Sequence, residues 1–205
     1  IVTEAGDKIV LGELVSAAAG GGRQWVAPGS DAPATHSAEC VYRDRLLRPE
    51  GNVIFASRQG DHTDWDYGAD VEDAGRAFAF QLSEAGEVGG EPVALIPHQD
   101  RYLLGATASS LWVISGDPAA EGTLRNVSRD VGIVAARAWC KAEDTVYFLS
   151  SRGLYAVGAS GEGLQAISEE TIPQELSGLS DATLAYNHAD RGVYIHLPGA
   201  AVSWF

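Results

Sequence analysis

A unit of strand-like runs recurs four times along the chain and constrains its fold more than any other feature. In each copy an apolar run enters a short polar turn containing Asp, a second apolar run follows, and a third comes after another turn. The copies contain CVYRDRLL, LIPHQDRYLLGA, WCKAEDTVYFLS and AYNHADRGVYIHL. Their turn aspartates, Asp44, Asp100, Asp144 and Asp190, follow one another at spacings of 56, 44 and 46 residues. Repeats of roughly 40 to 50 residues are typical of β-propeller blades.

The repeats predict a mainly β protein of repeated antiparallel sheets, β-propeller-like, with the four aspartates in equivalent turns. Apolar residues alternate with period two in runs such as TVYFLS, which is the pattern of a strand. We expect residues 1–38 to form an N-terminal segment and linker, because glycines and prolines break its pattern, and residues 39–205 to form the repeats. The chain starts at Ile1, contains no Met and stops inside an apolar run, so we also expect a fragment of a longer polypeptide.

Residues 61–91 form an acidic excursion between the first two repeats. The excursion carries nine carboxylates against Arg76 alone, although RAFAFQLS (76–83) within it alternates like a strand. Unpaired carboxylates are costly to bury. We therefore expect most of the acidic residues at the start of the excursion to be exposed or neutralised by Arg or Lys of a neighbouring subunit. These interface or channel candidates are Asp61, Asp64, Asp66, Asp70, Glu72 and Asp73.

The net charge of the chain limits its partners. The formal charge is -14, whereas proteins that grip nucleic acid through phosphates present a basic face. An acidic surface also repels anionic membranes. We therefore expect no membrane association and, at most, passing contact with DNA.

Short motifs in the chain bear on whether it carries a catalytic or metal-binding site. SRQGDHTDW (57–65) loosely resembles the Asp box of sialidase-like propellers but has its Asp and Gly in the wrong order, so it is better interpreted as a turn held by Ser, Thr and Asp side chains. Asp64, Asp66 and Asp70 are spaced somewhat like a calcium loop, but a solvated acidic loop is the preferred interpretation. The five histidines lack the spacing of a zinc site. We predict no catalytic residues, metal or cofactor.

The two cysteines, Cys40 and Cys140, lie four residues before Asp44 and Asp144. They therefore occupy equivalent positions in the first and third repeats. Equivalent positions on blades that are not neighbours are too far apart for a disulfide, which needs Cα atoms within about 7 Å. We expect two separate, reduced thiols that pack as small hydrophobic groups.

Several of these runs together resemble a known family. RDRLL (43–47), NVIFASRQGDHTDWD (52–66), the acidic turn into AFAFQL (77–82), ALIPHQDRYLLGATASSLWVISGDP (94–118) and VYFLSSRGLYAV (146–157) are similar to segments of structural tail proteins of tailed bacteriophages. The closest comparison is with the propeller-containing nozzle, or stabilisation, proteins of short-tailed phages. The resemblance covers roughly residues 40–160.

The resemblance implies a virion tail component that forms a ring around the DNA exit channel and carries no catalytic residues. Its implied partners are other copies of itself, other tail proteins and DNA in transit, and its implied location is the virion, after synthesis in the host cytoplasm. Two alternatives remain open: a glycan-active or glycan-binding propeller of the sialidase or lectin kind, and a cellular propeller scaffold that binds proteins.

Overall fold

The computed structural model describes residues 32–33, 36–67, 72–83, 90–120, 122–168 and 181–197, and the backbone of residues 203–204. Within these ranges the secondary structure consists of strands and turns, and the fold is mainly β and propeller-like. No helix in the described ranges is long and apolar enough to cross a membrane. The predicted segment 1–38 lies largely outside the described residues.

In the described ranges, fifteen strands form four antiparallel sheets, which we call blades 1 to 4. Blade 1 contains β1 (Cys40–Tyr42), β2 (Arg45–Glu50), β3 (Val53–Ala56) and β4 (Phe78–Gln81). Blade 2 contains β5 (Ala94–His98), β6 (Tyr102–Ala106), β7 (Leu111–Ser115) and β8 (Thr123–Ser128). Blade 3 contains β9 (Trp139–Ala142), β10 (Thr145–Ser150), β11 (Gly153–Gly158) and β12 (Gln165–Ala166). Blade 4 contains β13 (Thr183–Asn187), β14 (Gly192–His196) and β15 (Ser203–Trp204). Within each blade, each strand pairs with the next one along the chain, which confirms the predicted repeat, including the strand within RAFAFQLS.

The four turn aspartates all lie in the hairpin that joins the first and second strands of a blade, as predicted. In blade 1 the register pairs Tyr42 with Arg45, so Arg43 and Asp44 form a two-residue turn with φ angles of 51° and 60°. Positive φ at both turn residues is the type I′ geometry, whose twist matches that of the flanking strands. Blade 3 has the same two-residue turn length, whereas the turns of blades 2 and 4 contain three and four residues.

The blades pack face to face in chain order because successive side chains of a strand point to opposite faces. Blade 2 shows this most clearly. Leu95, Leu103, Trp112 and Ile114 join a core cluster with blade 1, while Ala94, Ile96, Leu104, Ala106 and Val113 join a second cluster with blades 3 and 4. Each large apolar side chain buried in this way contributes about 1.5–3 kcal/mol. The first strands also lie together, with β1 against β5 and β9 against β13.

Candidate functional site: the acidic excursion and its arginines

The start of the acidic excursion is attached to blade 1 through Arg45. Arg45 begins β2, and its side chain points to the same face as Leu47, so it is buried at 1 % exposure. Its guanidinium donates to the backbone carbonyl oxygens of Ser57, Ala74, Gly75 and Arg76 at 2.6 to 3.1 Å. Burial lowers the pKa of Arg45, yet a guanidinium keeps its charge at neutral pH. One cation therefore holds Ser57, just before the excursion, and residues 74–76 within it against the sheet.

Ser57 completes this attachment. Its hydroxyl accepts a hydrogen bond from the Leu46 backbone N–H at 3.0 Å and donates to the Arg58 carbonyl oxygen at 3.2 Å. The Gly60 N–H donates to the Asp44 carbonyl oxygen at 2.8 Å. The RDRLL and SRQGD segments, which are separate in sequence, thus form one hydrogen-bonded unit.

Arg58 lies between two of the predicted candidates. Its Nη2 is 2.5 Å from Asp73 Oδ2, and its Nε is 4.0 Å from Asp64 Oδ2. The Gly75 N–H also donates to Asp73, at 2.8 Å. This backbone bond, followed by Arg58, lowers the pKa of Asp73. The cation that these acids meet belongs to their own chain.

Among the described residues most of these acids are not exposed, so the first part of the expectation is not met. Neutralisation by Arg or Lys of a neighbouring subunit stays a prediction. Only Glu72 is exposed, Asp61, Asp66 and Asp73 are half-buried, and Asp64 is buried at 5 % exposure. One reason is that Arg58, which lies just before the excursion in sequence, meets Asp64 and Asp73. Asp70 lies outside the described residues. The structure brings Asp64 and Asp73 together around Arg58.

The segment Asp61 to Asp66 forms a compact turn, which confirms its interpretation as a turn held by side chains. Asp61 Oδ1 accepts hydrogen bonds from the Thr63 N–H and hydroxyl at 3.1 and 2.6 Å, and Asp64 Oδ1 accepts one from the Asp66 N–H at 3.0 Å. The calcium-loop interpretation also requires Asp70, outside the described residues. Within the described ranges, no group of three His, Cys, Asp or Glu is arranged to hold a metal ion.

The same loop covers part of the outer face of blade 1, which is the face that does not contact blade 2. Trp65 is buried at 3 % exposure, with the Arg48 guanidinium 5.8 Å from its ring. Tyr67 packs against Phe55 with ring centroids 5.6 Å apart, and burial raises its pKa. The loop therefore combines an acidic outer side with aromatic side chains that anchor it.

The turn aspartates connect neighbouring blades at two joints. Between blades 1 and 2, Asp100 Oδ1 accepts from the Arg43 N–H at 2.9 Å, and Arg43 Nη1 donates to the Asp100 carbonyl oxygen at 3.1 Å. Between blades 2 and 3, Asp144 Oδ1 lies 3.0 Å from His98 Nε2. Asp190 differs, because its carboxylate accepts hydrogen bonds from Asn187 and Tyr194 of its own blade. The sequence located these turns but did not show that two of them fasten one blade to the next.

The two cysteines are free, as predicted, one half-buried in blade 1 and one buried in blade 3. Burial raises the pKa of Cys40 to about 12 and that of Cys140 to about 11. A thiol with a raised pKa is protonated near neutral pH and is a poor nucleophile. Both cysteines therefore act as packing groups.

Clefts among the described residues lie between blades. One of about 350 Å³ is lined by His98, Arg101, Tyr102 and Asp144 at the joint of blades 2 and 3. Another of about 330 Å³ lies between blades 3 and 4, where Tyr147 and Tyr186 stack with ring centroids 6.0 Å apart. These clefts follow the joints, and the stacked tyrosines contribute to the packing of blade 4 on blade 3.

Comparisons with known proteins add little to this description. No protein-family model matches the chain, and no curated protein matches it. Among solved structures the chain is similar to a structural genomics protein of unknown function from Bacteroides thetaiotaomicron, at 14 % sequence identity and a TM-score of 0.46. The match covers 85 % of this chain and 45 % of that protein, so the chain spans less than half of its length.

Proposed function

We propose that this chain is a structural, non-catalytic component of a phage virion tail, part of a nozzle-like or hub-like ring around the channel through which DNA leaves. The observation that carries the proposal is the unit built on Arg45. RDRLL and SRQGD are two of the motifs in which the sequence resembles phage tail proteins. They hold each other through Arg45, Ser57 and the Gly60 N–H.

This contact supports the proposal because the two motifs are not independent of one another in the structure. Two short β-rich motifs could each match a family by chance. Here the motif residues depend on one another, since Arg45 is buried and its partners are the carbonyl oxygens of the loop that SRQGD opens. The two matched motifs therefore belong to one structural unit, and that unit positions the loop that follows SRQGD.

The charge of the chain is compatible with a channel for DNA. A net charge of -14 disfavours retention of a polyanion. A conduit for DNA must let phosphate groups pass without binding them. Glu72 is exposed and Asp61 and Asp66 are half-buried, so these three acids of the excursion are candidates to face such a channel.

The direct test is the protein content of particles. Virions of a phage that encodes this chain would be purified by density gradient and analysed by mass spectrometry, and an antibody against the chain would be located by immunogold electron microscopy. We expect the protein in intact particles, with label at the tail. Its absence from purified virions, together with its presence in the soluble lysate, would contradict the proposal.

A second experiment tests the channel itself. In the assembled protein, Asp61→Asn, Asp66→Asn and Glu72→Gln would be combined and compared with a matched control, Asp130→Asn, Glu162→Gln and Asp181→Asn, at exposed positions elsewhere. Both sets change the net charge equally. If the excursion faces the channel, only the first set increases DNA retention, and that retention falls as salt rises. Equal retention by the two sets would remove the channel role of the excursion.

A further inference from the structure

A cleft of about 350 Å³ lies at the joint of blades 2 and 3. It is formed where the β5–β6 hairpin of blade 2 meets the β9–β10 hairpin of blade 3 and the end of β11. Its lining consists of described residues, which are His98, Gln99, Arg101, Tyr102, Asp144 and residues 158–160. Sites for small molecules in proteins have volumes of about 300–1,000 Å³, so this cleft has room for a small one.

The equivalent joint between blades 1 and 2 is filled by a tyrosine. Tyr42 ends β1, is buried at 1 % exposure, and its hydroxyl donates to the Gly116 carbonyl oxygen at 2.9 Å. His98 ends β5 in the same way, and Ala159, like Gly116, directly follows the third strand of its blade. The imidazole is shorter than a phenol, and its Nε2 lies 3.0 Å from Asp144 Oδ1. The joint of blades 2 and 3 therefore keeps a space that a side chain occupies in its counterpart.

The polar groups around this space include both charges and neutral donors and acceptors. Arg101 is exposed, its guanidinium lies 5.6 Å from the Tyr102 ring, and it makes no hydrogen bond or ion pair within the described part of the chain. The Asp144 side chain is 86 % exposed, so its carboxylate can accept from a ligand. Gln99 and Ser160 add an amide and a hydroxyl, each of which can donate and accept. A ligand here can therefore meet a cation that only donates, an anion that only accepts, and neutral groups that do both.

This mixture of groups discriminates among classes of ligand. A phosphate or another polyvalent anion would lie beside Asp144 in a chain whose net charge is -14, and repulsion disfavours it. An organic cation would be repelled by Arg101, and an apolar ligand would cover charged groups without giving them partners, which is costly. A hydroxyl both donates and accepts, so neighbouring hydroxyls can accept from Arg101 and donate to Asp144 together. A small neutral ring that carries several hydroxyls satisfies all of these groups.

We infer that the cleft between blades 2 and 3 binds one ring of a neutral sugar, with hydroxyls that accept from Arg101 and donate to Asp144. The Tyr102 side chain supplies apolar contact area for the ring, because a tyrosine combines an apolar body with a polar tip. A ligand of this size has few atoms with which to bind, so we expect a dissociation constant on the order of 1 mM. The site goes beyond the proposed function and does not rest on it.

The first test titrates the full chain with six probes and follows its backbone amide signals by NMR. The sugars are D-glucose, D-galactose, D-mannose and N-acetyl-D-glucosamine, and the charged alternatives are inorganic phosphate and choline. We expect at least one sugar to shift the signals of Arg101, Asp144 and Ser160 in a saturable way, with a weaker response to either ion. The absence of a saturable shift with every sugar, or a stronger response to phosphate or choline, would overturn the inference.

The second test uses the sugar that binds most tightly and two matched arginine variants. Arg101→Met removes a guanidinium from the cleft, while Arg152→Met removes one from an exposed position in the β10–β11 hairpin, at the opposite end of blade 3. Both variants change the net charge equally. We expect Arg101→Met to raise the dissociation constant about tenfold, the effect of losing one hydrogen bond to a charged group. Arg152→Met should match the parent, and equal constants for the two variants would contradict the inference.

The third test gives the cleft the side chain that fills the joint of blades 1 and 2. His98→Tyr places a ring and a hydroxyl where Tyr42 lies at that joint, so it should abolish sugar binding at ligand concentrations about tenfold above the dissociation constant of the parent. Far-UV circular dichroism checks that the variant is folded. A folded His98→Tyr chain that binds like the parent would show that the sugar lies elsewhere, and if this variant does not fold, the two arginine variants decide alone. None of these measurements touches the test for the protein in virions.

Discussion

Blades 1 and 2 are built by the same strand order but are stabilised in different ways. Blade 2 lies between two others, and both of its faces are apolar and buried. Blade 1 has one apolar face, while a loop attached through Arg45 and Arg58 covers part of the other. The difference indicates that blade 2 depends on dispersion and apolar burial, whereas blade 1 also uses polar contacts to hold its own cover.

The largest expected loss in the free energy of unfolding comes from a substitution in blade 2. Leu104 is 1 % exposed in the core shared with blades 3 and 4. Leu104→Ala should lower the free energy of unfolding by about 3–5 kcal/mol, through lost burial and the cavity that remains. Val41→Ala, at an exposed position of β1, is the control and should change it by less than about 0.5 kcal/mol. Urea unfolding measures both, and similar losses would break the comparison.

Arg45→Met tests the polar attachment of blade 1. The variant keeps an unbranched side chain but leaves four carbonyl oxygens without their donor. We expect a loss of about 2–4 kcal/mol, because water can replace only part of these bonds. Limited proteolysis should then cut first within residues 57–76. Arg48→Met, at a half-buried arginine of the same strand, is the control, and an equal loss there would show that Arg45 has no special role.

The close approach of blades 1 and 2 gives a third prediction. A Cβ atom at Gly105 would lie 2.8 Å from Leu82 Cδ1, and Leu82 is fully buried. Gly105→Ala should therefore cost about 1–3 kcal/mol through overpacking. Leu82→Val in the same chain should recover part of that loss, since it removes volume at the contact. A double-mutant cycle in which the two losses simply add would refute this contact as the cause.

The smallest expected effect is on the free energy of unfolding at acidic pH. The pKa of Asp73 is lowered by its bond from the Gly75 N–H and by Arg58. A lowered pKa contributes stability above the unfolded value near pH 4, and that stability is lost as pH falls through the folded value. Asp73 is partly exposed, so we expect less than about 1 kcal/mol. Asp73→Asn should flatten the decline of the urea midpoint between pH 5 and pH 3, and parallel profiles would contradict the assignment.

The sequence predicted the blades because their information is local. Alternating apolar runs and turn residues specify strands and hairpins without knowledge of distant contacts. The strands and the positions of all four turn aspartates agree with the structure for this reason. The two cysteines were placed correctly by the same repeat alignment.

The site was predicted less well because it depends on contacts between residues that are far apart in sequence. A count of charges within residues 61–91 omits Arg58, which pairs with Asp73, and Arg45, which binds backbone carbonyl oxygens of the segment. One signal was available in the sequence. Arg45 shares the inward face of β2 with Leu47, and an arginine on a buried face needs acceptors nearby. The segment that supplies the acceptors could be identified only from the fold.

The hairpins contain residues whose backbone conformation is costly for an amino acid that has a side chain. Arg43, Asp44, Gln99, Asp100 and Arg191 all adopt positive φ, a conformation that glycine enters without steric cost. An Asp100→Gly chain would thus form this turn more easily while it loses the acceptor for the Arg43 N–H of blade 1. Substitutions that ease the backbone conformation of such a turn would weaken the attachment of one blade to the next, so local and tertiary stability compete at the same residue.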